Sequence, residues 1–110
     1  MTNIITTKVP STGYKLVLHD DHGSEIGYVY LFVMSSKPNT QFGLLENLFI
    51  NEKYRGQGFG TQLVEAVVEL AKQEKCYKLI CTSRYTNEKA HHLYTKTGFI
   101  DWGKEFRLNL

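Results

Sequence analysis

The chain is poor in the residues that announce special chemistry: two cysteines, two prolines, two methionines and one tryptophan in 110 residues. Cys76 and Cys81 form no C-x-x-C pair and have no neighbouring metal-ligand cluster. That pattern excludes a disulfide framework and a zinc site, and reduced intracellular thiols are the expected state. Charge of one sign is also lacking. With 13 Lys and Arg against 11 Asp and Glu, the net charge of +2 gives no global field to attract nucleic acid. No apolar run approaches the ~18 residues of a membrane span. The opening "MTNIITTKVP" has no apolar stretch after a charged start, so no secretory signal is expected and the default location is cytoplasmic. No repeat or Pro/Gly/Ser linker divides residues 1–110, which read as a single domain with its own core.

What is present is clear periodicity. "YKLVLHDDHGSEIGYVYLFVM" gives two β-rich runs, Tyr14–His19 and Ile26–Met34, around a polar turn carrying Gly23, and so predicts a hairpin. The acids of that turn, Asp20, Asp21 and Glu25, lack calcium-loop spacing and read as a solvated turn. "SSKPNTQ" (Ser35–Gln41) has loop composition. "FGLLENLFI" (Phe42–Ile50) reads as a central strand, apolar except for Glu46 and Asn47. "TQLVEAVVELAKQEK" (Thr61–Lys75) places Leu63, Val64, Val67, Val68, Leu70 and Ala71 on one helical face. A short strand, Tyr77–Thr82, is followed by a second helix, Asn87–Gly98, with Thr86 or Asn87 as its N-cap and Gly98 beyond its end. "FIDWGKEFRLNL" suggests two closing strands, Phe99–Trp102 and Phe106–Leu110. The order β-β-β-α-β-α-β-β specifies an α/β fold, a mixed sheet with helices packed on it.

Between the central strand and the first helix lies "YRGQGFG" (Tyr54–Gly60). A strand, a glycine turn and a helix N-terminus together expose free amides and the positive end of a helix dipole, which favours an anion. The lysine that a Walker loop requires is missing before Thr61, and the glycines at 56, 58 and 60 do not make G-x-G-x-x-G. A turn without a ligand remains the alternative at this point.

Two stretches together resemble the GNAT family of N-acetyltransferases. "RGQGFG" is similar to that family's R/Q-x-x-G-x-G/A loop. "NEKAHHLYTKTGF" resembles its second signature, matched at Asn87, Ala90, Leu93, Tyr94, Lys96, Gly98 and Phe99. The resemblance extends from about Tyr14 to the C-terminus. It lacks most of the strand and two helices that usually precede the hairpin and wall the acceptor site. A wall supplied by a second subunit, or a site open to a bulky acceptor, would follow.

The resemblance implies acetyl-CoA as cosubstrate, with no metal. Backbone groups of Leu48, Phe49 and Ile50 would pair with the pantetheine arm. Arg55, Gly56, Gln57, Gly58, Phe59, Gly60 and Thr61 would hold the pyrophosphate, with Gly58 and Gly60 keeping space where it approaches. Asn87 would hydrogen-bond the cofactor, cap its helix, or do both. Lys53 and Lys89 read better as solvated lysines than as phosphate ligands.

An amine of pKa near 10.4 is neutral only about once in 10³ at neutral pH, a deficit of roughly 4–5 kcal/mol. A base or a desolvating site has to make up that deficit. Glu46, the one acid in the apolar strand, is the candidate base, acting through water; a structural carboxylate is the other reading. Tyr94 is the candidate general acid for the departing thiolate, or else a core aromatic. The amide of Leu48 would be the oxyanion donor. His91 and His92 are weak catalytic candidates. The function expected is acetyl transfer to a primary amine, with a non-catalytic acetyl-CoA-binding module as the alternative. A homodimer is expected from the missing wall and the apolar C-terminal strands, since exposed strand edges invite pairing.

Overall fold

The computed structural model describes residues 2–110. Its elements are β1 (Ser11–His19), β2 (Glu25–Lys37), β3 (Thr40–Ile50), a 3-10 turn at Glu52–Tyr54, α1 (Phe59–Gln73), β4 (Cys76–Ile80) and α2 (Glu88–Lys96). The first three strands form an antiparallel meander, and α1 carries the chain across to β4, which runs parallel to β3. The sheet order is β1-β2-β3-β4. The expected α/β class and mixed sheet are therefore present.

Alternation along β2 divides the sheet into two unlike faces. Val29, Leu31 and Val33 point inward and join Leu45 of β3 in a core closed by Leu63, Val64, Val67 and Ala71 of α1. These four helical residues recur at the spacing that one stripe of an α-helix requires. The intervening residues Tyr28, Tyr30 and Phe32 form an aromatic row on the other face, the last two stacked at 6.1 Å. Phe32 lies over its cross-strand partner Gly13, where an added Cβ would meet the ring at 3.0 Å. The Tyr14 hydroxyl donates to the Glu74 carboxylate and so ties β1 to the end of α1.

Several boundaries differ from the sequence reading. The loop expected over Ser35–Gln41 is mostly strand: Asn39 takes a left-handed conformation (φ 59°), so Pro38 and Asn39 alone reverse the chain. Helix α1 starts at Phe59 rather than Thr61, because left-handed Gly58 (φ 87°) turns directly into it. Asn87 is the N-cap of α2, its Oδ1 accepting from the Ala90 amide at 3.1 Å, and Gly98 (φ 103°) follows the helix as expected.

The larger correction is at the C-terminus. Phe99–Trp102 and Phe106–Leu110 are not strands; residues 99–110 carry no regular secondary structure. Phe99 packs its ring 5.5 Å from that of Tyr94, and the apolar residues beyond it project into solvent. A strand requires a neighbour for its backbone groups, and within the single chain this segment has none. Among the described residues, no helix is long and apolar enough to cross a membrane.

Gly27 faces Ile50 across β2 and β3, and a Cβ there would overlap the Phe49 carbonyl oxygen. We expect Gly27→Ala to cost roughly 1–3 kcal/mol through forced backbone movement. Gly103→Ala, with nothing within 4 Å of the added carbon, is expected to be neutral. Urea denaturation midpoints compare the two, and equal midpoints would refute the close-approach argument.

Candidate functional site

β3 and β4 separate partway along. Their pairing is Gln41 with Cys76, Gly43 with Leu79 and Leu44 with Ile80, and there it stops, while β3 continues to Ile50. From Leu45 onward the edge of β3 turned away from β2 has no strand neighbour among the described residues. A β-bulge falls in this stretch. Tyr30 pairs with Glu46 and Tyr28 with Phe49, so Asn47 and Leu48 together oppose Val29. Asn47 makes the bulge by adopting φ 59°, a conformation that asparagine tolerates better than branched residues do.

A cleft of about 390 Å³ occupies the parting. β3 contributes Asn47 and Leu48, the connection after β4 contributes Thr82, Ser83 and Arg84, and α2 contributes Asn87, Ala90 and Tyr94. The predicted residues Leu48, Asn87 and Tyr94 are thus brought together.

The glycine loop stands at one end of the parting. Gly56 and Gly58 take φ 77° and 87°, which sterically favours glycine. Gly58 occupies the N-cap and offers no side chain to the first turn of α1. The amides of Gln57, Gly58, Phe59, Gly60 and Thr61 donate to no backbone group among the described residues. Arg55 is partly committed: its Nε donates to the Ile50 carbonyl at 2.8 Å, and its guanidinium lies 5.8 Å from the Phe49 ring. It therefore fastens the loop to the end of β3 and keeps its terminal nitrogens for other contacts. The Gln57 side chain donates to the Lys53 carbonyl at 3.4 Å. Tyr54 donates to Asp20 Oδ2 at 2.9 Å and lies edge-on to Phe59, so the acidic hairpin turn buttresses this loop. Lys53 rests its ammonium over the Tyr54 ring. Gly60 differs from Gly56 and Gly58 in what lies beside it. Its missing Cβ would point at Leu93 Cδ2 on α2, 3.4 Å away, while its amide stays among the free donors of the loop.

Tyr94 and Glu46 are linked electrostatically. Burial pushes the Tyr94 phenol up to about 12, with the Cys81 thiol and the Glu46 carboxylate adding to it. Burial likewise raises Cys81 to about 11, with Glu46 contributing. Glu46 is half-buried and lies across from Tyr30, on the aromatic face of the sheet. The ammonium of Lys15 sits 4.7 Å from the Tyr28 ring centre and 5.8 Å from that of Tyr30 on the same face. A carboxylate on one side of the parting and a protonated phenol on the other can accept and donate protons at a group lying between them.

His91 has a structural partner, its Nε2 lying 2.8 Å from the Arg84 carbonyl; His92 and Lys89 are exposed. The sequence reading missed Asn47, Cys81 and Arg84. Asn47 could have been flagged as a left-handed-tolerant residue inside an apolar strand. Nothing in the spacing marked Arg84, which the fold carries to the cleft, or Cys81, whose thiol acts on Tyr94.

Residues 6–99 match the model of the acetyltransferase (GNAT) family. Glucosamine 6-phosphate N-acetyltransferase of Trypanosoma brucei brucei is 29% identical over 98 residues, covering 87% of this chain and 65% of that protein. Thialysine N-epsilon-acetyltransferase of Mus musculus is 32% identical over 77 residues, covering 69% of this chain and 45% of that one. The chain thus spans less than two thirds of the length of these curated relatives. A crystal structure of a Trypanosoma brucei acetyltransferase superposes with a TM-score of 0.79 at 28% identity, covering 89% of this chain and 69% of that one.

The raised phenol and thiol have a consequence for stability. Both groups are held neutral by the fold, so their contribution is complete below their unfolded values of 9.0 and 10.0. It is lost as pH rises through the folded values of about 11 and about 12. Tyr14 and Tyr54, raised by their bonds to Glu74 and Asp20, act in the same direction. Denaturation midpoints are expected to fall from about pH 9 to about pH 12. In Tyr94→Phe the fall above about pH 10 is expected to be shallower, and superimposable curves would contradict a phenol raised by partial burial.

Proposed function

The chain belongs to the acetyltransferase (GNAT) family, and on that premise we propose that it transfers an acetyl group from acetyl-CoA to a primary amine. One observation carries the reading: an open strand edge, an uncapped helix N-terminus and a half-buried phenol lie along a single parting of the sheet. Acetyl-CoA, when bound, supplies the activated acyl group as a thioester.

The residues present fit that cosubstrate. The amides of Gln57 to Thr61, behind two left-handed glycines, suit a pyrophosphate at the positive end of α1. Terminal nitrogens of Arg55 can add to them, since guanidinium matches phosphate oxygens. The backbone of Leu48, Phe49 and Ile50 presents the edge to which an extended amide-bearing arm adds as a strand would. Asn87, at the cleft and at the helix cap together, offers its remaining side-chain amide to the same ligand.

In this reading the acceptor approaches from the aromatic face, where Glu46 takes the amine proton directly or through water. The bulge turns the backbone at Leu48 out of the regular ladder, and its amide stabilises charge developing on the acyl oxygen. Tyr94, raised to about 12, holds its proton at neutral pH, the state from which a general acid must start. It then donates to the departing sulfur. Both named relatives carry an acetylated amine in their names, one an amino-sugar phosphate and the other a thialysine, which agrees with a primary amine as acceptor. A second copy of the chain is its proposed partner.

A thioester-cleavage assay against a panel of small amines, polyamines and lysine peptides tests the reading. We expect amine-dependent cleavage. Tyr94→Phe should lower kcat by roughly 10²-fold while leaving acetyl-CoA binding near wild type. Gly58→Val should weaken acetyl-CoA binding, because a branched residue is strained at φ 87°. Tight binding of acetyl-CoA with no cleavage on any amine would leave a binding module and overturn the enzyme.

A further inference from the structure

The sheet face that carries Glu46 is laid with aromatic rings and holds a cation that no step of the transfer uses. Lys15 of β1, Tyr30 of β2 and Glu46 of β3 form one cross-strand row, and Val17, Tyr28 and Phe49 form the next. Tyr28 stands edge-on to Tyr30 with ring centres 5.8 Å apart, and the Phe49 ring lies 5.3 Å from it on the other side. The Lys15 side chain leans toward the neighbouring row. Its ammonium comes to 4.7 Å from the Tyr28 ring centre and 5.8 Å from that of Tyr30.

Both distances fall within the ~6 Å over which a ring attracts a cation, and an ammonium shared between rings is how aromatic sites recognise alkylammonium ligands. Lys15 is exposed, and its charge sits on a flexible four-carbon stem. Another ammonium can therefore take its place on the same two rings.

Given the acetyl transfer proposed above, on which this assignment rests, we propose that Tyr28 and Tyr30 form a cation subsite for the acceptor, with Lys15 as its resident occupant. The acceptor is then an alkyl diamine. Its distal ammonium displaces Lys15 from the rings while its other amine meets Glu46. Strand spacing sets the length of the chain between them. Neighbouring strands lie about 4.8 Å apart, so a cation above β2, or between β1 and β2, stands roughly 5–7 Å from β3. A chain of about four or five carbons, with bonds near 1.5 Å, covers that span. A monoamine of equal length would leave Lys15 on the rings and gain nothing from them.

Binding to the full chain without acetyl-CoA tests the subsite separately from transfer. Cadaverine and pentylamine are titrated while the tyrosine ring signals are followed by NMR. The diamine should bind roughly 5- to 30-fold more tightly, the range that a cation over aromatic faces supplies, and should shift the Tyr28 and Tyr30 signals. Tyr28→Leu should bring the two ligands level. Lys15→Met, at an exposed position, should tighten the diamine by about 5-fold, which a lysine merely covering the sheet would not do. Both variants should keep the wild-type circular dichroism. Thioester cleavage on pentylamine together with equal affinities for the two ligands would overturn the subsite and leave transfer standing. A diamine preference without cleavage on either would uphold the subsite and overturn transfer. Ring signals that respond to protein concentration but not to diamine would give this face to a second copy and overturn the subsite.

Discussion

Gly43 and Leu44 are the last residues of β3 that pair with β4, and the rest of the site depends on that early end to the pairing. Had the two strands stayed together to Ile50, the backbone of Leu48 to Ile50 would be consumed by the ladder and no cleft would exist. Two features hold the strands apart. The bulge at Asn47 and Leu48 bends β3, and β4 ends at Ile80 so that Thr82 to Arg84 can turn into α2. An unpaired edge normally invites another strand; here α2 sets Asn87, Ala90 and Tyr94 across the cleft from it.

The loop before α1 depends on the same geometry. Arg55 holds the Ile50 carbonyl, so the position of the glycine turn is set by the end of β3. Tyr54 reaches the hairpin turn at Asp20, whose carboxyl is kept below the usual range by the Ser24 amide and the Tyr54 hydroxyl. The hairpin turn, the loop and the end of β3 are therefore tied together by side-chain hydrogen bonds. An acidic cluster that looked like ordinary solvated turn residues has a defined mechanical role through Asp20.

Much of this was legible in the sequence. The apolar stripe of α1, the alternation of β2 and the two glycine-bearing motifs fixed the class, the strand-loop-helix unit and the positions of Tyr94 and Asn87. What resisted reading was non-local. The bulge depends on how β3 registers against β2, which no single segment encodes. Cys81 and Arg84 acquire their place only when α2 brings Tyr94 beside the connection that follows β4. Gly60 stands in the motif, but its nearness to Leu93, a residue on a different helix, is visible only in the folded chain. The C-terminal strands were misread for the opposite reason: the pattern is genuine, but a pattern cannot supply the neighbour that a strand requires.

The chain's only tryptophan, Trp102, lies in that uncovered segment, 88% exposed and outside the core of the fold. Its indole is an optical probe of the tail. In the isolated chain its emission would be that of a hydrated indole before and after the core melts, so intrinsic fluorescence would barely register unfolding. Light from this protein reports on what the tail touches, and the fold itself has to be followed by its backbone or by its tyrosines.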